Sequence, residues 1–336
     1  MSTQTALAIT EVGKPLVKLD LSTHKGTELK DAEVLVKVTA AGREFTPLAK
    51  LPPPTSLTIP VAPLDQKMRD FGRLGIGERL PWVLSGDIVG EVIEGGPQNK
   101  FPLGTHIFSQ MIFQLPQSGG LQEYTILNSE YAAEVPKTIP DTEAALYPIN
   151  IVTAAISLFS EKGFGFPLPE TPEAQGFDYA SQKVAIIGGV SGGGTIIVTA
   201  SPSSTELLKS FGATHVISRH DSDVEEQVRA IVGDELLYVY DTFNFGSLDL
   251  AASLLSNSKR GTLKKAGFEE KRTLGFSNLI PAFGKALWTK LPEWLANGKI
   301  KPLEYKTIDG LDADKVNAAL DEYAAGRSGV RYHVRV

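Results

Sequence analysis

One glycine-rich stretch, Lys183 to Ser201 (KVAIIGGVSGGGTIIVTAS), constrains the fold of this chain more than any other. A β-branched run ends at a cluster of five glycines, and a second β-branched run begins at Thr195. A strand followed by a glycine-rich turn is typical of dinucleotide-binding folds, because glycine lets a pyrophosphate approach backbone N–H groups. Here no helix follows the turn, although a parallel return normally takes about 10 to 12 residues or more. Taken alone, the stretch is equally compatible with an antiparallel hairpin.

The rest of the chain shows two kinds of pattern, which change near Pro140. Before it, runs such as TALAITEV, EVLVKVTA and DIVGEVIE alternate as half-buried strands do. After it, β-branched runs alternate with amphipathic helical segments from Lys183 to Ser256. This alternation is typical of a doubly wound α/β domain, and it makes the hairpin the weaker interpretation of the glycine-rich stretch.

Composition narrows the chemistry and the partners. The 336 residues include no cysteine, which excludes disulfides, thiolate metal sites, iron–sulfur clusters and a cysteine nucleophile. The net charge of −6 without long single-sign runs argues against nucleic acid or an anionic membrane as the main partner. No stretch reaches the roughly 18 to 20 apolar residues of a membrane span, and the first residues resemble no targeting signal. We expect a cytoplasmic protein that acts on a small molecule.

A proline-rich segment interrupts the β-rich part. Between Gly42 and Pro60 the prolines forbid a regular helix or a central strand; they are Pro47, Pro52, Pro53, Pro54 and Pro60. We predict an extended surface loop or a disordered insertion at 42–60.

Several short motifs, in order along the chain, resemble the medium-chain dehydrogenase/reductase superfamily. They are SGDIVGEV (Ser85–Val92), GGLQEY (Gly119–Tyr124), the TAA step (Thr153–Ala155), KVAIIGG, TASPSS, LLKSFGATHVI and RSGVRYHVRV. The resemblance is closest to zinc-free quinone oxidoreductases, trans-acting enoyl reductases and the fungal zinc-binding-type oxidoreductases. It implies an α/β fold with an N-terminal GroES-like β-rich domain over 1–140 and a Rossmann-like nucleotide-binding domain, lacking its first crossover helix, over 141–298. A C-terminal segment, 299–336, would return to the GroES-like domain.

The resemblance also implies a nicotinamide cofactor, and the residues after the second Rossmann strand indicate which one. An NAD-selective site uses an acid there, whereas a 2′-phosphate requires hydroxyl donors and cations. This chain has serines followed by Lys209, and Arg219 occupies the place where similar reductases often carry a tyrosine, so we predict NADPH. Capping of the following helix is the alternative role for the serines. The expected cofactor-binding residues are Asp65, Gln66, Lys67, Thr153, Gly188, Gly189, Val190, Ser191, Gly192, Ser201, Ser203, Ser204, Lys209, Arg219 and Thr242.

Lys67 is the one candidate catalytic residue. Relatives commonly carry Asn-Pro-x-Asp-x-Lys in a loop of the first domain that lies over the cofactor, and here the phrase is Ala62-Pro63-Leu64-Asp65-Gln66-Lys67, without the asparagine. Lys67 would contact the ribose or carry a proton toward an enolate. A solvated surface lysine is the alternative.

The sequence contains few of the cysteine and histidine side chains that usually bind zinc. Zinc members of the superfamily carry cysteines and a Gly-His-Glu step, and this chain has neither. His215 and His220 are the closest histidine pair, and their spacing fits no familiar zinc motif. We therefore expect no metal site.

Three segments depart from the superfamily pattern. Residues 42–60 are inserted, the first Rossmann helix is absent after Gly192, and KRGTLKKAGFEE after Ser258 lacks the strand and glycine turn that relatives use beside the nicotinamide. These departures indicate an altered splice or gene model, or else a degenerate paralogue.

The sequence thus leaves two functions from different classes. The first is a zinc-independent, NADPH-dependent oxidoreductase that reduces an activated C=C or C=O bond of the quinone, enone or enoyl type, with an enoyl reductase of carrier-bound chains as one special case. The second is a non-catalytic homologue that binds or scaffolds. A homodimer is the expected assembly, because dimers are common among similar proteins.

The short connection between the predicted strands Lys183–Gly188 and Thr195–Ala200 generates a first testable prediction. If the connection is too short for the crossover between parallel neighbours, one strand must leave the sheet or the pair must become antiparallel. In either case the pyrophosphate loses the helix N-terminus that would normally bind it. That loss should cost about 2 to 4 kcal/mol of NADPH binding, a weakening of roughly thirty- to a thousand-fold, which an inserted helix of about 12 residues after Gly192 should reverse. Titration of both chains with NADPH measures it, and micromolar or tighter binding by the unmodified chain would contradict it.

Overall fold

The computed structural model describes residues 3–38, 59–61, 63–187, 195–242, 249–259, 269–301, 305–326 and 331–336. The chain divides into two compact units, Met1–Val152 with Phe276–Val336, and Thr153–Gly275. Among the described residues, no helix is long and apolar enough to cross a membrane.

Strands outnumber helices among the described residues. The strands are β1 Thr3–Ile9, β2 Val17–Ser22, β3 Glu33–Lys37, β4 Ile59–Val61, β5 Trp82–Val83, β6 Asp87–Gly95, β7 His106–Gln110, β8 Tyr124–Asn128, β9 Ala132–Glu134, β10 Lys183–Ile187, β11 Thr195–Ala200, β12 His215–Ser218, β13 Tyr238–Asp241, β14 Tyr305–Asp309 and β15 Arg331–Arg335. The α-helices are α1 Pro63–Phe71, α2 Asp141–Ala144, α3 Pro148–Phe159, α4 Thr205–Ser210, α5 Val224–Val232, α6 Asp249–Leu254, α7 Pro281–Ala296 and α8 Ala313–Ala324.

Three sheets build the first unit. A five-stranded antiparallel sheet has the order β8-β3-β6-β7-β9, and two three-stranded sheets have the orders β2-β1-β5 and β14-β15-β4. Their shared core contains Leu7 and Trp82 from the N-terminal part of the chain, and Leu320 and Val334 from its C-terminal part, all fully buried. Burial of these large apolar side chains, at roughly 1.5 to 3 kcal/mol each, holds the two ends of the chain in one unit.

Helix α7 packs with the first unit, although the sequence pattern places it inside the nucleotide-binding segment 141–298. The Trp288 ring lies 5.4 Å from the Phe108 ring, and its indole N–H donates to Ser277 Oγ at 2.7 Å. Lys285, on the same helix as Trp288, pairs with Glu130. Because helical periodicity reveals an apolar face but not which sheet that face covers, the sequence places the boundaries at 140 and 298, and the structure places them at Val152 and Gly275.

Most of the proline-rich segment, residues 42–58, lies outside the described residues. The end of the segment differs from the predicted loop, because residues 59 and 60 begin β4, which pairs antiparallel with β15. Strand β4 lies at the edge of its sheet, where a proline removes no ladder hydrogen bond.

A four-stranded parallel sheet of order β12-β11-β10-β13 forms the centre of the second unit. Alternate residues of β10 point to opposite faces: Ile187 packs in a cluster with Val228 and Leu254, and Ile186 in a cluster with Phe166. Both faces are therefore covered, as buried parallel sheets require. The predicted doubly wound pattern of alternating strands and helices is confirmed.

The predicted disruption of the β10–β11 pair is wrong. The two strands are parallel neighbours, with Lys183 opposite Thr195 and Ile187 opposite Thr199. This register separates the end of β10 from the start of β11 by about 13 Å along the strands and about 4.8 Å across them. Seven residues, 188–194, connect these points, and seven extended residues reach roughly 23 to 25 Å. Crossovers are usually longer because they contain a helix. The distance between the two strand ends alone can be spanned by seven residues.

Gly119 provides a test of the packing in the first unit. A Cβ at this position would lie 2.1 Å from the Val83 carbonyl oxygen, a backbone atom that cannot rotate away. We expect Gly119→Ala to lower the free energy of unfolding by about 1 to 3 kcal/mol or more, because the strand and the turn must separate. Gly77→Ala is the matched control, since a Cβ there meets only Val12 Cγ2 at 3.6 Å. Urea unfolding measures both, and equal stabilities of the two variants would contradict the assigned packing.

Candidate functional site: the carboxyl edge of the parallel sheet

The four parallel strands of the second unit end side by side. Their last residues are Ile187, Ala200, Ser218 and Asp241. The chain runs outward from β10 through β11 to β12 and then returns to β13 on the other side of β10, so the strand order reverses between β10 and β13. Open α/β sheets bind ligands outside the carboxyl ends of their strands at such a switch point.

Thr242 joins the two strands at the switch point. Its backbone N–H donates to the Ile187 carbonyl at 3.0 Å, and its hydroxyl donates to the same carbonyl at 2.8 Å. The sequence predicts Thr242 as a cofactor-binding residue, and the structure places it beside the last residue of β10. The glycine-turn residues Gly188, Gly189, Val190, Ser191 and Gly192 lie outside the described residues.

The predicted phosphate-binding residues follow β11 and β12. Ser201 Oγ lies 3.0 Å from Ser203 Oγ, and the Arg219 backbone N–H donates to the Ala200 carbonyl at 2.9 Å. Pairing of β11 with β12 thus brings two segments together that lie 18 residues apart in sequence, from 201 to 219. Arg219 is exposed, and its Nε donates to His220 Nε2 at 3.3 Å.

The serines do not perform the alternative capping role. Ser201 and Ser204 occupy the N-cap positions of a short 3₁₀ turn and of α4, and neither side chain makes a capping hydrogen bond. Neither hydroxyl is therefore used to cap a helix. Lys209 lies on the last turn of α4, where its ammonium is 3.6 Å from Glu206 Oε1; both groups are largely exposed.

Thr199 is a polar residue at this edge that the sequence interpretation missed. It is buried on β11, one residue before the strand ends, and its hydroxyl has no hydrogen-bond partner among the described residues. A buried hydroxyl without a partner is costly, by about 1 to 3 kcal/mol. In the sequence, Thr199 belongs to a β-branched run, which predicts a strand but does not predict whether the hydroxyl is hydrogen-bonded.

The Asp65-Gln66-Lys67 phrase lies on helix α1 of the first unit, so the predicted loop is wrong. Pro63 is compatible with a first helical turn, and the following residues are good or moderate helix formers. Asp65 is buried and accepts the Ser85 N–H at 3.0 Å, while the Gln66 amide donates to Asp70 at 2.6 Å. Both predicted cofactor residues thus have partners within the first unit.

Lys67 is half-buried on the same helix. Desolvation lowers the pKa of its ammonium below the ordinary lysine value, and the nearby positive charge of Arg73 lowers it further. A lysine with a lowered pKa gives up its proton more readily, which suits a proton donor near neutral pH.

Ser85 and Asp87 form a buried polar turn that the sequence interpretation used only as a family motif. Ser85 has a φ of 72°, a left-handed conformation that non-glycine residues rarely adopt, and the carboxylate of Asp65 holds its N–H. Asp87 accepts the Ile149 N–H at 2.5 Å. A Cβ at Gly86 would lie 3.1 Å from Ile149 Cδ1, so this turn packs tightly on the start of α3.

Thr153 lies on α3. In the second unit it packs against Gly275, where an added Cβ would lie 1.8 Å from Thr153 Oγ1. One turn later, Ser157 donates to the Thr153 carbonyl at 2.8 Å and lies 2.7 Å from Thr273 Oγ1. Burial raises the pKa of the Tyr240 phenol, and the hydrogen bond with Ser157 opposes that shift.

Comparisons with known proteins agree with this architecture. Among curated proteins, the zinc-binding alcohol dehydrogenase domain-containing protein cipB of Emericella nidulans is 28% identical over 263 residues, which cover 74% of this chain and 78% of cipB. The trans-enoyl reductase himH of Aspergillus japonicus is 26% identical over 309 residues, 82% of this chain and 86% of himH. No protein-family model matches.

Solved structures decide the fold. The CurK enoyl reductase matches with a TM-score of 0.73 at 16% identity, over 99% of both chains. The quinone oxidoreductase from Coxiella burnetii matches with a TM-score of 0.68 at 18% identity, over 100% of both chains. The chain has the medium-chain dehydrogenase/reductase fold. The predicted fold class and the resemblance to this superfamily are confirmed.

Within this medium-chain dehydrogenase/reductase fold, the described residues contain no group of three or more histidine, cysteine, aspartate or glutamate side chains that could hold a metal ion. His215 and His220 are both exposed, and their rings form hydrogen bonds with Thr214 and Arg219. The absence of a metal site therefore stays a prediction from the sequence.

The Thr242 hydroxyl offers a test of the switch point. We expect Thr242→Val to lower the free energy of unfolding by about 0.5 to 1.5 kcal/mol, because the Ile187 carbonyl loses one of its two donors. Thr242→Ser, which retains the hydroxyl, should stay close to the unmodified chain. Thermal unfolding and hydrogen exchange of the 242 amide measure the effect, and indistinguishable Val and Ser variants would argue against this hydrogen bond.

Proposed function

We propose that this chain is a zinc-independent, NADPH-dependent oxidoreductase that reduces an activated C=C or C=O bond of the quinone, enone or enoyl type. The observation that carries the proposal is the carboxyl edge of the second-unit sheet, where Ser201, Ser203 and Arg219 follow adjacent parallel strands. Relatives named as trans-enoyl reductases and structural neighbours named as enoyl and quinone reductases support the reaction class.

The residues at this edge fit a phosphorylated dinucleotide. Segment 201–204 has no acid to repel a 2′-phosphate, its serine hydroxyls are not used for capping, and Arg219 adds a cation. The Thr199 hydroxyl, which has no hydrogen-bond partner in the part of the chain that the structure describes, supports a further polar group at this edge. Bound here, the cofactor would supply the hydride. The protein supplies position and charge.

Lys67 is the proposed proton donor. Hydride addition to an enone or enoyl group leaves an enolate, which must accept a proton to complete the reduction. The lowered pKa of Lys67, caused first by burial and then by Arg73, favours transfer of that proton. The donor works only while protonated, so the rate should fall as the pH rises through the pKa of Lys67.

A direct assay tests the proposal. NADPH deuterated at the nicotinamide C4 should transfer its label to a carbon of an enone or an enoyl thioester, detected by mass spectrometry. A hydroquinone keeps no such label, because its O–D bonds exchange with water, so quinone reduction is followed by the loss of NADPH absorbance. Lys67→Met should lower kcat more for substrates that need enolate protonation than for quinones. A folded protein that neither transfers label to any enone or enoyl thioester nor oxidises NADPH with any quinone would reject the proposal.

A binding or scaffold homologue is the second candidate. The specific observation in its favour is the connection of only seven residues, 188–194, between β10 and β11. This is shorter than the usual helix-containing crossover, which normally presents a helix N-terminus to the pyrophosphate. A folded protein that shows no thermal or spectral shift with NADPH would favour this candidate. For either candidate we propose a cytoplasmic homodimer whose ligand is a small molecule.

Cofactor choice generates a prediction. Replacing Arg219 and Lys209 by alanine should weaken NADPH binding by about 1.5 to 3 kcal/mol for each charged interaction that is removed and leave NADH binding nearly unchanged, because only NADPH carries the 2′-phosphate. Isothermal titration with both nucleotides measures the difference. Lys137→Ala, an exposed lysine of the first unit, controls for net charge. Equal losses for NADPH and NADH would contradict the assignment.

A further inference from the structure

A cleft in the first unit is lined by none of the cofactor-binding or catalytic candidates named above. Its volume is about 450 Å³, within the range of small-molecule sites. The apolar part of its wall consists of Leu80, Pro81, Leu115, Pro116 and Ile126. The polar part includes His24, Arg79, Gln117 and Ser118, and no carboxylate lines the cleft among the described residues.

Arg79 provides a fixed positive charge in this wall. Its guanidinium carbon lies 4.7 Å from the Trp82 ring and 4.6 Å from the Phe113 ring. Two of its N–H groups donate to the carbonyls of Phe113, at 2.9 Å, and Leu74, at 3.3 Å. These are its partners within the described ranges, and none is an acid. A guanidinium has five N–H donors, and these two carbonyls take two of them.

The wall around Arg79 is built before any ligand arrives. The side-chain amide of Gln122 donates to the carbonyls of Gln117, at 2.6 Å, and Gly119, at 2.7 Å. The Thr125 hydroxyl donates to the Ser118 carbonyl of the same loop, and the Ser118 hydroxyl donates to the Ile112 carbonyl. Prior ordering of the loop lowers the entropy cost of binding.

His24 adds no second charge. Its Nε2 lies 3.3 Å from the Gln117 carbonyl, an acceptor, so Nε2 carries the hydrogen. Burial lowers the pKa of the imidazole more than this hydrogen bond raises it, so the neutral form predominates at neutral pH. The cleft therefore combines an apolar wall with one cation.

We propose that this cleft binds a small amphipathic anion: a compact apolar body that contacts Leu80, Pro81 and Ile126, with one carboxylate on Arg79. The apolar wall favours burial of the body, and the guanidinium, which has no acidic partner among the described residues, favours a carboxylate over a neutral group. The proposal does not depend on the nucleotide site, since the cleft lies wholly within the first unit.

The test uses 2-naphthoate as the probe and the neutral 2-naphthamide as its isostere. Both are titrated by isothermal calorimetry into the full chain, with and without saturating NADPH. We expect naphthoate to bind about ten-fold or more tightly than naphthamide, because only the carboxylate forms a charge-assisted hydrogen bond with Arg79. NADPH should not displace it. Equal affinities, no detectable naphthoate binding, or displacement by NADPH would each overturn the proposal.

Two sets of variants locate the probe. Leu115 is partly exposed, at 38%, so Leu115→Glu adds a negative charge at the cleft with little effect on folding, and Leu115→Gln is the neutral control. We expect the Glu variant to bind naphthoate about ten-fold more weakly than the Gln variant, through like-charge repulsion. Arg79→Gln should remove the preference for the anion, and Arg79→Lys should retain part of it. If Arg79→Gln fails to fold, the Leu115 pair decides, and equal binding by that pair refutes the site.

Discussion

The parallel register of β10 with its two neighbours is the constraint on which the candidate site depends. Lys183 lies opposite Thr195, and Val184 lies opposite Tyr238, so β11 and β13 end level with β10 on either side. Only this arrangement brings the residues after β11, β12 and β13 to one edge of the sheet. An antiparallel β10–β11 pair would turn Ser201 away from the ends of β10 and β13. A seven-residue connection is long enough to allow the parallel register, and the two thoroughly apolar faces of the sheet stabilise it.

The first unit depends on a different kind of interaction. Its sheets share a core that joins residues from both ends of the chain, and its polar turn at Ser85 is held by the buried Asp65. The left-handed conformation of Ser85 costs of order 1 to 3 kcal/mol, which the surrounding hydrogen bonds must offset. Asp65, predicted from the sequence as a cofactor residue, is therefore also a structural partner within its unit. A conservative substitution of Asp65 should destabilise the turn at Ser85 even when no ligand is bound.

The sequence predicted the class of fold well and the details of the site less well. Alternating strand and helix patterns are strong signals because β10 and β11 are apolar β-branched runs and amphipathic helices follow β11, β12 and β13. The helix nature of the Asp65 segment was missed because a family motif was interpreted as a loop, although its residues favour a helix. The unit containing α7 could not be predicted, since periodicity shows that Trp288 is on an apolar face and not that it meets Phe108. Likewise, the sequence TIIVTA does not show that the Thr199 hydroxyl lacks a hydrogen-bond partner among the described residues.

The central claim is that the carboxyl edge of the parallel sheet is the nucleotide site, and hydrogen–deuterium exchange with and without NADPH tests it most directly. A millimolar concentration of NADPH populates the complex even if the affinity is weak. The account predicts slower exchange of the backbone amides after β11, β12 and β13, around residues 201–204, 219–220 and 242, and unchanged exchange in β1 and β2. Unchanged exchange at all three segments, or protection confined to the first unit, would contradict the account.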